Sequence, residues 1–163
     1  MKNKITALIL LAISVAVQLL IPFSYITKNE ITAKRGGEYR LEISSFFQYD
    51  EGLYLSYSCE TPEQTKYYTV FEEQENGVYI ENGYTYSRPA SGVYLKTDTS
   101  DKYMTSACIY EADADTADKL MHEIWILSNN GRYFYAAVKL LNGHAVLTGV
   151  FLDDGTPIEA LIS

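Results

Sequence analysis

The sequence predicts a mainly β fold of α+β type: one N-terminal transmembrane helix followed by an antiparallel, sandwich-like β domain carrying a single helix. Three observations predict it. An uncharged apolar run fills residues 5–26, polar and apolar residues alternate over most of the remainder, and one later stretch alone has helical periodicity. Setting aside an anchor of roughly 25 residues leaves about 135, a common size for one domain with its own core.

The run ITALILLAISVAVQLLIPFSYI holds no charge, and at 1.5 Å per residue it rises about 33 Å, enough for a hydrocarbon layer of about 30 Å. Pro22 sits near its far end, where losing a helical hydrogen bond costs least, and Tyr25 falls where an interfacial aromatic anchors a helix. Lys2 and Lys4 make a positive start, as in a signal peptide, but the run exceeds a usual h-region and no A-x-A-like pair follows it. With no cysteine at its end, a lipoprotein is excluded. Residues 1–27 therefore read as an uncleaved anchor in the lipid bilayer of the cell membrane, with the N-terminus inside and the C-terminal domain outside the cytoplasm. Residues 28–37, holding KNE and AKRGG, read as a flexible juxtamembrane linker, and residues 38–163 as the extracytoplasmic β-rich domain.

Charge limits the partners of that domain. The net charge is −8, with Lys2 and Lys4 before the apolar run, Lys28, Lys34, Arg35 and Arg40 just after it, and an acidic remainder. An acidic body repels phosphate backbones and anionic headgroups, which speaks against nucleic-acid binding and against peripheral membrane attachment through that body. Tyrosine is over-represented, with 15 residues against one Trp, and aromatic enrichment suits pleated, half-buried surfaces.

The strands follow in order. In EYRLEIS, Tyr39, Leu41 and Ile43 face one way and Glu38, Arg40, Glu42 and Ser44 the other. In LYLSYSC, Leu53, Leu55, Tyr57 and Cys59 share a face opposite Tyr54, Ser56 and Ser58. Further strands are expected at Lys66 to Phe71, Val78 to Glu81, Tyr84 to Ser87, Val93 to Thr97 and Thr105 to Tyr110, with Asn82-Gly83 as a tight type I′ hairpin. From Asp115 to Leu127, Ala117, Leu120, Met121, Ile124 and Leu127 recur at helical steps, with Asp113 or Asp115 as N-cap and Asn130-Gly131 as terminator. A closing meander is expected from Arg132 to Leu141, an Asn142-Gly143 turn, His144 to Leu152, a turn at 153–155, and Pro157 to Ile162. HAVLTGVFL, apolar on both faces, is expected to lie centrally.

The stretch GEYRLEISSFFQYDEGLYLSYSCE and the ending AAVKLLNGHAVLTGVFLDDGTPIE resemble the bacterial family named for its GDYXXLXY motif. Gly52 and Tyr54 match the motif's Gly and Tyr, whereas Leu53 replaces the Asp, Tyr57 the Leu and Cys59 the final Tyr. The resemblance implies a membrane-anchored protein without an assigned reaction and, by analogy, a multispanning membrane protein as a possible partner. It marks Gly52, Tyr54 and Tyr57 as motif and recognition candidates. Physically, Gly52 would permit a bend or bulge at a strand entrance, and Tyr54 either packs against neighbouring strands or serves recognition.

No catalytic constellation emerges from spacing. His122 has Ile126, not a ligand, four residues on, so HExxH is absent; EADADTAD lacks the Gly and Glu of a calcium loop and suits a solvated helix N-terminus. No metal and no cofactor is expected. The sequence thus favours a non-enzymatic interaction module docking on a membrane or envelope partner through a tyrosine-rich face. The alternative is a small envelope hydrolase or sugar-processing enzyme whose carboxylates converge only on folding. Cys59 and Cys108, the two cysteines, are candidates for a disulfide in an oxidising compartment.

Overall fold

A computed structural model of the chain describes residues 2–49, 52–58, 62–98 and 108–163. The first element, helix α1, spans Lys2–Arg35 and passes through Pro22. It is long and apolar enough to cross a membrane. The helix does not stop at the apolar run. KNEITAKR holds no Gly or Pro, Glu30 and Lys34 pair at i,i+4 with 3.9 Å between charged atoms, and Lys34 and Arg35 complement the C-terminal dipole. The segment expected as a flexible linker is thus helical as far as Arg35. Gly36 ends it by donating its N–H to the Thr32 carbonyl at 2.7 Å.

Among the described residues, nine strands follow in two sheets. They are β1 (Gly37–Glu42), β2 (Ser45–Tyr49), β3 (Gly52–Ser56), β4 (Lys66–Glu73), β5 (Tyr79–Thr85), β6 (Val93–Asp98), β7 (Ile109–Glu111), β8 (Phe134–Leu141) and β9 (His144–Leu152). The larger sheet has the order β6-β4-β5-β1-β8-β9, and the smaller has the order β2-β3-β7. Pairing is antiparallel except where β1 meets β5 at Leu41 and Tyr79. Helix α2 (Ala114–Asn129) connects β7 to β8; Asp113 caps it by accepting from the Thr116 N–H.

One core joins these layers. Leu41 of β1, Leu53 and Leu55 of β3, Leu120 of α2, Phe134 and Val138 of β8 and Ile158 of the closing segment are almost completely buried and belong to one cluster. The alternation that predicts β1 and β3 therefore aims both strands at a shared interior.

Several expectations are corrected. Asn82-Gly83 does not make a hairpin, because β5 runs straight through it; Gly83 has φ 90°, and pairing with β4 shifts register between Thr69 and Phe71 there. The turn joining β4 to β5 lies at 74–78, where Gly77 adopts φ 75° and Gln74 N–H donates to the Val78 carbonyl. Strand β9 is at an edge rather than the centre: its apolar outer surface is covered by α1 and by the return of Pro157 against Phe151. The final segment is not a strand, since Pro157 makes only an isolated bridge and Ile158–Leu161 form a 3-10 helix. Strand β2 was not expected at all. Of the strand expected at Thr105 to Tyr110, residues 105–107 lie outside the described residues, as does Cys59, and with it the Cys59–Cys108 pair.

The Asn142-Gly143 turn forms as expected, with φ 53° and 78°, both positive as a type I′ turn requires. The Asp153-Asp154 turn is clamped by Arg132, which donates to both carboxylates.

Candidate functional site

Gly52 opens β3 with φ 138°, and a Cβ there would lie 2.1 Å from the Tyr110 carbonyl oxygen and 2.8 Å from the Ala112 nitrogen. Only glycine fits between β3 and β7. Two residues on, Tyr54 pairs in register with Phe47 of β2, which places both side chains on one face with ring centroids 6.3 Å apart. Tyr57 is 5 % exposed and sits edge-on to Phe71, so it serves packing and does not reach the surface.

Tyr54 begins a longer arrangement. It faces Tyr67 of β4 across a cavity of about 40 Å³, shared with Ser58, Thr97 and the buried Cys108, where the two sheets meet. Tyr67 packs on Tyr84 at 6.1 Å, because Tyr84 lies opposite Thr69 and is the diagonal neighbour of the residue two positions before it. Tyr84 in turn packs on Tyr86 at 5.6 Å. Two packed sets of rings, Phe47-Tyr54 on the smaller sheet and Tyr67-Tyr84-Tyr86 on the larger, thus face each other across this small cavity and together form a five-ring ladder over the seam. Its middle is covered and its ends are open: Phe47 is 56 % exposed, Tyr84 37 % and Tyr86 41 %.

Burial, and then the neighbouring Cys108 thiol, push the Tyr54 phenol well above its ordinary range; burial raises Tyr67 as well, against a hydrogen bond with Thr97. Both shifts deepen the preference of these phenols for the protonated form that tyrosine already holds at physiological pH. The seam beneath is tied by the Ser58 hydroxyl, which donates to the Glu81 carboxylate and joins the exit of β3 to β5.

The other distinctive region is the joint between α1 and the domain. Tyr25, Asn29 and Thr32 recur at helical spacing and face the β8–β9 hairpin. His144 is 7 % exposed, its Nε2 lies 2.7 Å from the Asn29 amide oxygen, and the Tyr25 ring stands edge-on to it at 6.4 Å. Burial first, and the charge of Lys28 second, lower the His144 pKa to about 4, so the imidazole is neutral and its Nε2–H donates to Asn29. Thr32 is 2 % exposed.

The histidines do not converge. His144 lines the cleft beneath α1, while His122 lines a separate shallow cleft with Asp118, Lys119 and Glu123. In that cleft Asp118 accepts from the Gln48 amide and Lys119 pairs with Asp115. Among the described residues no group of three metal-ligating side chains gathers.

Sequence reasoning named Gly52 and Tyr54 but missed Phe47, Tyr67, Tyr84 and Tyr86, as well as Asn29 and Thr32. The tyrosines at 84 and 86, two apart, carried the period that puts both on one face; nothing in the sequence linked them to Tyr54. Comparison of the chain with protein-family models, with curated proteins and with solved structures finds no match.

Proposed function

We propose that the chain is a single-pass protein of the cell membrane whose β-rich domain lies outside the cytoplasm and acts as an interaction module, receiving a membrane or envelope partner on the aromatic ladder. One observation carries this reading: two packed sets of rings, Phe47-Tyr54 and Tyr67-Tyr84-Tyr86, meet across a small cavity at the seam between the sheets, and three of the five rings stay open to solvent. Rings held by their neighbours lose little conformational freedom on binding, and tyrosine offers an apolar face together with a hydroxyl, which is why such residues concentrate at interfaces. Membership of the GDYXXLXY family belongs to the same proposal, supported by Gly52 at the strand entrance and Tyr54 in the ladder. A multispanning membrane protein is the favoured partner on that resemblance.

The test is purification of the tagged full chain from native membranes in mild detergent. A companion protein should accompany the wild type and be lost from a Tyr84→Ser, Tyr86→Ser double variant, yet stay with Lys119→Ser. Unchanged recovery from the double variant would show that the ladder is not the docking face. Orientation is checked with protease on intact cells, or on spheroplasts where an outer membrane exists. Removal of the domain is expected, and a protected domain would reverse the orientation.

A further inference from the structure

We infer that the groove between α1 and the tip of the β8–β9 hairpin is a binding site for one anionic phospholipid, an inference that rests on the anchor reading above. Depth comes first. The apolar run ends at Ile26, and the helix continues unbroken to Arg35, so at 1.5 Å per residue Asn29 stands at most about 4–5 Å and Thr32 at most about 9 Å beyond the hydrocarbon edge. The headgroup layer on each side of a bilayer is roughly 5–8 Å thick. His144, bonded to Asn29, is therefore held within that layer, and the hairpin tip with it.

The lining suits a lipid. The groove measures about 460 Å³, within the range of small-molecule sites, and Phe23, Ile31 and Leu141 give it an apolar wall that runs from the outer hydrocarbon at Phe23 to headgroup depth at Ile31. Phe23 is 68 % and Ile31 43 % exposed, so this wall lacks cover from the domain itself. Lys28 and Asn142 supply the polar rim.

Charge selects the headgroup. Lys28 has no carboxylate partner among the described residues, since Glu30 pairs with Lys34 on the same helix. Across the hairpin tip, Arg88 donates to the Asn142 side-chain oxygen at 3.0 Å and lines the separate cleft on that side, which leaves Lys28 as the one cation lining the groove among the described residues. No carboxylate lines the groove or the cleft on the other side of the tip. On a chain of net charge −8, a lysine set at headgroup depth in a groove that no acid lines complements a phosphodiester.

The experiment uses the full chain in vesicles of equal phosphatidylglycerol and phosphatidylcholine, followed by mild extraction and native mass spectrometry of the retained lipid. The wild type should keep one phosphatidylglycerol about fivefold over phosphatidylcholine, the preference expected of a single lysine at the surface. Lys28→Gln should bring the ratio near one, Lys119→Gln on α2 should leave it unchanged, and Ile31→Trp, which fills the groove at an exposed position, should lose both lipids. Equal retention of the two lipids by the wild type, or an undiminished preference in Lys28→Gln, would overturn the site while leaving the anchor intact. A chain that did not enter the vesicles at all would overturn the anchor reading and the site with it.

Discussion

The joint and the ladder use their side chains in opposite ways. At the joint, polar groups are matched and partly or fully buried: His144 against Asn29, and Gly36 N–H against the carbonyl of the buried Thr32. Along the ladder, apolar rings are packed against one another and then left partly open. A buried polar pair is costly to break and gives nothing to a partner, whereas an exposed ring is cheap to remove and keeps its surface available. The joint therefore holds the domain on its helix, and the ladder is the surface that the hold presents. Mutations should separate the two: stability should fall at the joint and in the turns, binding at the ladder.

The largest effect is expected beneath the ladder, at Gly52. A Cβ 2.1 Å from the Tyr110 carbonyl oxygen, at φ 138°, forces β3 from β7, so Gly52→Ala should destabilise the chain by about 3 kcal/mol, read as a lower denaturant midpoint in micelles. An unchanged midpoint would mean that the two strands are not seated as described. Gly143→Val comes next, at about 2 kcal/mol in the same assay, because φ is 78° and a Cβ would meet the Tyr94 ring at 2.6 Å.

The joint adds a pH dependence whose sign is fixed. His144 has a folded pKa of about 4 against an ordinary 6.5, so its contribution is complete above pH 6.5 and is lost as pH falls toward 4. Over that window the wild type should lose up to about 3 kcal/mol more than His144→Gln, measured as the difference between their denaturation midpoints at each pH. Parallel curves would remove the histidine from the joint. The smallest stability effect belongs to the ladder: Tyr86→Ser should shift the midpoint by less than about 1 kcal/mol, since its ring is 41 % exposed.

The sequence conveyed local order well and long-range neighbours poorly. Strands β1 and β3 could be read from alternation, the β8–β9 hairpin from Asn142-Gly143, and α2 from its apolar spacing and the cap at Asp113. Strand β2 escaped notice because SFFQY puts Phe46 against Phe134 and Phe47 toward solvent, so two adjacent aromatics erase the alternation. Asn82-Gly83 misled for the complementary reason: a turn dipeptide inside a long pairing is absorbed as a register shift when strand contacts on both sides outweigh it. For the candidate site, Gly52 and Tyr54 were visible as a local motif. Tyr67 and Tyr84 were not, because they reach Tyr54 only through the curvature of one sheet onto another, and His144 meets a helix residue 115 positions away.

Exposure alone does not make a docking face, and Trp125 supplies the contrast: it is 66 % exposed on α2, away from any ladder ring contact. The most direct measurement places a photo-crosslinking residue singly at Phe47, Tyr86 and Trp125 of the full chain in native membranes. One discrete protein adduct, the same from Phe47 and Tyr86, is expected, and none from Trp125. Adducts from Trp125 matching those from the ladder, or none from either end of the ladder, would contradict it.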